Sequence, residues 1–342
     1  MTTAYTTDPR FRLHTDPTHP EHAGRLEAID RTLSATALND RLSHIEPRLA
    51  TDEEIIAVHT QTYLARLEAT RDQPAGRLDV DTYFTRHSAE AARLASGATL
   101  AVTDAVLTGA AANGLAAIRP PGHHATASRA MGFCLLNNVA IAARYAQRVH
   151  GLARVAVVDY DVHHGNGVQD IFYDDPSVLY ISTHQSPLYP GTGALAETGA
   201  GAGEGFTLNV PLPPGVGDVG YRAVVEQVIE PALRRFAPEA LFISAGFDAH
   251  WADPLAQMAL SLAGYDAIAR TLLDLAEQLC GGRVVVVLEG GYHLRALAVG
   301  WANLVRALLG DDPPADPLGP ALDPEPDITA LIGRVCAMHT LP

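Results

Sequence analysis

The chain has no lysine: all 24 of its Lys+Arg positions are arginine, set against 39 Asp and Glu, for a formal net charge of −15. A phosphate-cradling P-loop needs a lysine, and imine chemistry needs a lysine amine, so both are excluded. The shortage of positive charge argues against nucleic-acid binding, which wants a basic face over the phosphates. Cysteine is scarce too. Cys134, Cys280 and Cys336 are widely spaced and odd in number, so they imply neither a disulfide framework nor a thiolate zinc knuckle. Met1–Arg12 is polar, without the apolar core of a secretory signal, and the longest aliphatic run, Val284–Leu288, is far too short for a membrane span. The expectation is a cytoplasmic protein.

The chain does hold ample core material, 47% hydrophobic against 18% charged residues. Strand-like runs at Leu115–Ile118, Val155–Val158, Val178–Ile181, Phe206–Val210, Leu241–Ser244 and Val284–Leu288 alternate with amphipathic stretches at Ala89–Leu107, Val139–Val149, Val219–Phe236, Tyr265–Leu279 and Ala296–Leu309. Continuous apolar strands alternating with helices predict an α/β fold: an open parallel sheet with helices on both faces. The first ninety residues read as helical and loop-rich, Asp52–Thr70 for example. Gly191–Gly220 reads as a long loop around one short strand. Gly199–Gly205 (GAGAGEG) departs from the dinucleotide fingerprint and precedes a strand, so it reads as loop. We expect one catalytic domain over residues 1–342, with 311–342 a proline-rich C-terminal extension.

Four polar clusters each come directly after a predicted strand: Arg119–His124 (RPPGHH), Asp159–His164 (DYDVHH), Gly246–Asp248 (GFD) and Glu289–Tyr292 (EGGY). The carboxyl ends of parallel strands form the ligand crevice, so the four belong to one edge of the sheet. Alternation in extended chain puts Asp159, Asp161 and His163 on one face, a set suited to a divalent metal, and Asp248 offers a ligand from another strand end. A capped loop is the rival reading for the DYDVHH run alone. Two carboxylates and one histidine leave a position open for water and substrate. His123 and His124, after the stiff Pro120-Pro121-Gly122 turn, can supply a general base, and Tyr292 is either a hydrogen-bond donor to an oxyanion or a packed phenol.

Together these clusters resemble the zinc-dependent histone deacetylase family, of the class II and acetylpolyamine amidohydrolase type. The resemblance is carried by RPPGHHA at Arg119–Ala125, GFCLLNNVAIAARYA at Gly132–Ala146, VDYDVHHGNGVQDIFYDDPSVLYIS at Val158–Ser182, YPGTG at Tyr189–Gly193, SAGFDAHWADPL at Ser244–Leu255 and LEGGY at Leu288–Tyr292, with HPEHAGRL at His19–Leu26 as an opening motif. It implies the arginase/deacetylase fold and hydrolysis of an acylated amine. It also implies Asp161, His163 and Asp248 as zinc ligands, His124 as general base and acid with His123 as its electrostatic partner, Asp159 orienting His123, and Asn166 behind His124. Tyr292 would hydrogen-bond the scissile carbonyl. Gly132, Phe133, Tyr189 and Leu255 would line a narrow substrate tunnel. A structural potassium ion would involve Asp159, Asp161, His163, Ser182 and Thr183.

Three departures stand out, the first a packing change with little mechanistic weight. Tyr160 stands where Trp is common, Tyr189 adds a hydroxyl to a wall that is usually Phe, and Leu255 stands where the polyamine-selective animal member carries an acidic residue. The last favours acyl-lysine substrates over acetylpolyamines or other small amides. Two further readings compete: an arginase-like binuclear manganese hydrolase, which lacks ligands for its second metal here, and a non-catalytic acyl-amine binder, which has no use for a general base. Neither a nucleic acid nor a membrane is expected as partner, and the sequence leaves the oligomeric state open.

Overall fold

The computed structural model describes residues 2–342. Its strands, in chain order, are β1 (Thr3–Thr6), β2 (Ser43–His44), β3 (Gly76–Arg77), β4 (Tyr83–Phe84), β5 (Asn113–Ala116), β6 (Val155–Asp159), β7 (Val178–Gln185), β8 (Thr207–Leu212), β9 (Ala240–Ala245) and β10 (Val284–Leu288). The pair β3 and β4 makes a small antiparallel ribbon. The other eight form one sheet in the order β2-β1-β5-β10-β9-β6-β7-β8, every neighbouring pair parallel. All residues of β6, β9 and β10 are buried, as strands covered by helices on both faces must be.

The expected parallel sheet is therefore present, with differences in detail. β5 ends at Ala116, two residues before the predicted Ile118, because Ala117 and Ile118 leave the ladder as the chain runs on to Arg119. β1 went unanticipated: its Thr-Ala-Tyr-Thr sequence carries little apolar signal, yet all four residues are buried between β2 and β5.

The covering helices start and stop on local signals. Asn138–His150 is capped by the Asn137 side chain, which accepts from Ala140 N at 3.1 Å, and ends at the left-handed Gly151. Leu262–Cys280 is capped by Ser261 Oγ, accepting from Gly264 N at 3.0 Å. The predicted helix Val219–Phe236 is interrupted by one wide turn at Val225–Ile229, just before Pro231. Proline has no N–H to give the carbonyl four residues back, that of Gln227. The Cys336 thiol donates to that carbonyl instead, at 3.4 Å.

The C-terminal segment is tied to the body by carboxylates at helix N-termini, where the helix dipole favours negative charge. Asp316 accepts from Leu262 N (2.9 Å) and Ala263 N (3.3 Å). Glu325 accepts from the amides of Gly217 (2.9 Å), Val219 (2.9 Å) and Gly220 (2.8 Å). Trp251 Nε1 donates to Gly319 O at 2.9 Å, and a last helix, Thr329–His339, buries Leu331, Ile332 and Val335. Among the described residues no helix is long and apolar enough to cross a membrane.

Candidate active site

Arg119, Asp159, Gly246 and Glu289 stand at or just past the carboxyl ends of β5, β6, β9 and β10, and these four strands are consecutive in the sheet. The strand order reverses here, the position where parallel sheets open a crevice.

Asp161, His163 and Asp248 meet there, all buried, with one potential ligand atom of each within 4.8 Å of the others. His163 Nδ1 lies 3.2 Å from Asp161 Oδ1 and 3.1 Å from Asp248 Oδ2. Burial alone would strip charge from His163, but its hydrogen bonds to Asp161 and Asp248 outweigh that and hold its pKa up at about 10. The carboxylates are braced from behind: Gly290 N donates to Asp161 Oδ2 (2.7 Å) and Val162 N to Asp248 Oδ1 (2.9 Å). Two glycines make this crowding feasible. A Cβ on Gly246 would fall 2.2 Å from Asp161 Oδ2, and one on Gly290 would fall 2.1 Å from Asp248 Oδ2.

One grouping drawn from strand alternation is corrected. Asp159 does not share the face of Asp161 and His163 toward Asp248, because β6 stops at Asp159 and the next residues turn. Its Oδ2 accepts instead from His123 Nδ1 (3.0 Å) and the Tyr180 hydroxyl (3.1 Å), and its Oδ1 from Asp161 N (3.2 Å).

The two adjacent histidines have opposite electrostatics. His123 is fully enclosed; burial opposes its charge, but Asp159, Asp161 and Glu289 outweigh that and raise its pKa to about 10. Burial, then the positive fields of His123 and His163, push His124 well below the ordinary imidazole range. Asn166 fixes the His124 tautomer. Its amide nitrogen faces His124 O and Met131 Sδ, each at 3.4 Å, which turns Oδ1 toward His124 Nδ1 at 2.8 Å. Nδ1 must then carry the proton, leaving Nε2 as an acceptor.

Tyr292 closes the site. Burial raises its pKa well above the ordinary phenol value, so it stays a donor. Its ring lies under the Arg25 guanidinium (5.1 Å) and edge-on to Phe133 (5.8 Å). Arg25 Nε donates to Gly291 O at 2.8 Å, and its Nη2 to Glu289 O, pinning the loop that carries the phenol.

Above this floor is a cavity of about 220 Å³, lined by Gly132, Phe133, Tyr189 and Leu255 along with His124, His163 and Tyr292. Tyr189 stands edge-on to His124 with ring centroids 5.2 Å apart, and its buried hydroxyl has no hydrogen-bond partner. Gly132 has φ +55, and a Cβ there would strike His124 Cδ2 at 2.3 Å; Phe133 itself takes φ +68, a strained value for an aromatic residue. Sequence reasoning missed Asp81 and Leu188, which complete the lining. Asp81 lies in the turn between β3 and β4, too short a ribbon to be legible. It also missed a buried network at the motif His19–Leu26. There Glu21 takes both Arg119 (Nε, and Nη2 at 2.6 Å) and Arg25 (Nη1, 3.2 Å). Ser182 is the register partner of Asp159 on β7, with its hydroxyl 2.9 Å from His184 Nδ1, while the buried Thr183 hydroxyl has no partner.

The histone deacetylase domain model matches residues 19–308, which contain every site residue above. The chain belongs to the histone deacetylase family. Its relatives include histone deacetylase 14, chloroplastic, of Arabidopsis thaliana, 43% identical over 87% of this chain and 75% of that one. A probable deacetylase of Archaeoglobus fulgidus is 43% identical over 86% of this chain and 83% of its own. The histone deacetylase-like amidohydrolase of Pseudomonas aeruginosa is 43% identical over 80% and 71%. Among solved structures, the HDA15 HD domain superposes with a TM-score of 0.90 at 38% identity, covering 99% of this chain and 94% of that one. Membership of the histone deacetylase family makes this chain a hydrolase of amide bonds on the arginase/deacetylase fold.

Proposed function

We propose that this histone deacetylase family member is a zinc-dependent amidohydrolase that removes acetyl or other short acyl groups from lysine side chains of proteins or peptides. One observation carries the reading. A metal-ligating group, reached through His163, a neutral histidine with a free Nε2 and a protonated phenol border one cavity.

Two carboxylate oxygens approaching one imidazole nitrogen, each braced by backbone N–H groups, fit a zinc ion in donor chemistry and in the exposure of one side to the cavity. Zinc held by Asp161, His163 and Asp248 supplies Lewis-acid polarisation of the acyl carbonyl and makes water more acidic. His124 Nε2 takes the proton from the attacking water and returns it to the departing amine. The Tyr292 hydroxyl donates to the oxygen on which negative charge develops. Burial, with the positive field of His123 beside Asp159, keeps His124 neutral in the resting site and so ready to accept that proton. The aromatic walls Phe133 and Tyr189 admit a linear apolar stem and exclude bulk water.

A structural potassium ion beside the end of β6 and a cytoplasmic setting belong to the same reading. The first is supported by the buried Ser244 hydroxyl, unpartnered next to Asp159 in the sheet. A second reading, deacetylation of acetylpolyamines or another small amide, is favoured by the Asp81 carboxylate on the cavity wall, which suits a cationic chain. Leu255 supports the first. Initial rates of zinc-loaded protein on an acetyl-lysine peptide and on acetylputrescine decide between them. Faster peptide turnover, reduced about 10²–10³-fold by Tyr292→Phe, is expected; preference for acetylputrescine would transfer the assignment to the second reading.

A further inference from the structure

We propose that Asp253 is a positioning residue that sets the Tyr292 phenol against the metal-ligating group by tying together two loops that wall the cavity. The proposal rests on the reading of Tyr292 as the donor to the developing oxyanion.

Asp253 is 5% exposed, and its carboxylate accepts from backbone N–H groups of two separate loops. Oδ1 accepts from Leu255 N at 3.0 Å. Oδ2 accepts from Tyr292 N at 2.7 Å and His293 N at 3.0 Å. Its own N–H donates to His250 O at 2.8 Å, which closes the turn after Asp248. One oxygen thus holds the loop after β9, which carries the metal-ligating Asp248 and the wall residue Leu255. The other oxygen holds the loop after β10, which carries Tyr292.

The β10 loop needs such a clamp. Tyr292 comes after Gly290-Gly291, and Gly291 sits at φ +116, where a residue without Cβ has no intrinsic preference that would aim the next side chain. Arg25 grips the carbonyl side of this loop and Asp253 the amide side. His293 is also the N-cap of the helix Leu294–Leu309, whose dipole and the three amides favour the ionised Asp253 carboxyl, against burial and the neighbouring Asp248, which raise its pKa to about 7. These demands select the residue type. Only a carboxylate presents two acceptor oxygens and no donor; an amide would turn an NH₂ group toward one of the loops.

The test is a double-mutant cycle on the zinc-loaded protein with an acetyl-lysine peptide. Asp253→Asn, isosteric but lacking one acceptor, is expected to lower kcat about tenfold or more with KM within about twofold and bound zinc unchanged, since small misplacements of a catalytic group are costly. In the Tyr292→Phe background the same change is expected to cost little, because its effect passes through the phenol. Multiplicative losses in the double variant, or full activity of Asp253→Asn, overturn the proposal while leaving the assigned reaction intact. Full activity of Tyr292→Phe removes the phenol's role and this proposal with it. If Asp253→Asn does not fold, Asp253→Glu enters the same cycle: it keeps the charge but shifts both oxygens, and an equal, non-multiplicative kcat loss is again the supporting result.

Discussion

Replacing Glu21 with Gln is expected to destabilise this protein far more than its single-atom change suggests. Glu21, Arg25 and Arg119 are all fully buried, and one carboxylate serves both guanidiniums. Burial would push the Glu21 pKa up, yet the adjacent Arg119, helped by Arg25, holds it down at about 2, so it is charged at every physiological pH. The amide removes that charge and leaves two cations facing one carbonyl oxygen and an NH₂ group. Breaking a buried pair from one side costs about 3–5 kcal/mol, which in a chain of 342 residues lowers Tm by roughly 4–7 °C. Arg25 also holds the carbonyls of Glu289 and Gly291, so a fall in kcat should accompany the loss. Differential scanning calorimetry together with peptide deacetylation reads both. A Tm within about 2 °C of wild type would refute the argument that Glu21 neutralises this buried charge.

Other consequences are equally direct. His163→Ala is expected to abolish stoichiometric zinc binding with little change in secondary structure, checked by elemental analysis after gel filtration and by circular dichroism. Gly290→Ala inserts a methyl 2.1 Å from Asp248 Oδ2 and 2.5 Å from Asp161 Oδ2, so zinc affinity should fall at least tenfold by chelator competition while the fold persists. Stability should also decline in mild acid. His59 donates from Nδ1 to Thr126 O (3.0 Å) and accepts at Nε2 from Asn137 N (2.9 Å), so only its neutral form fits, and burial lowers its pKa to about 4. Burial lowers His184 to about 4 likewise. Between pH 6.5 and 4 the unfolded chain binds protons that these sites refuse, so stability is intact above about pH 6.5 and falls as pH drops through that window. His59 alone accounts for on the order of 3 kcal/mol. Urea midpoints that stay flat from pH 7 to 4.5 would contradict this.

The central sheet was legible because its strands are continuous apolar runs; Val284–Leu288 matches β10 residue for residue. The polar strand ends were legible for the same reason, since a rigid buried strand delivers the residues after it to one edge. Direction within a turn was not legible. Asp159 and Asp161 are two residues apart and look equivalent by strand alternation; the family resemblance separated them, and the structure turns one carboxylate to His123 and the other to His163. Charge balance across distance was equally hidden. Glu21 and Arg119 lie 98 residues apart, and no local pattern announces their pairing. Asp253 escaped for a different reason: its partners are backbone amides, which have no sequence signature.

The carboxylates of the C-terminal segment bear on where the folded unit ends. The family match stops at residue 308, yet Asp316 and Glu325 lie beyond it and supply the acceptors for the first amides of helices well inside it. Gly319, also beyond it, receives the indole of Trp251, three residues from Asp248. The family model and mechanical integrity thus draw different borders, and the HDA15 HD domain, which covers 99% of this chain, follows the second. A chain cut at Leu308 would keep every residue of the shared chemistry and lose the belt that closes the body beside it.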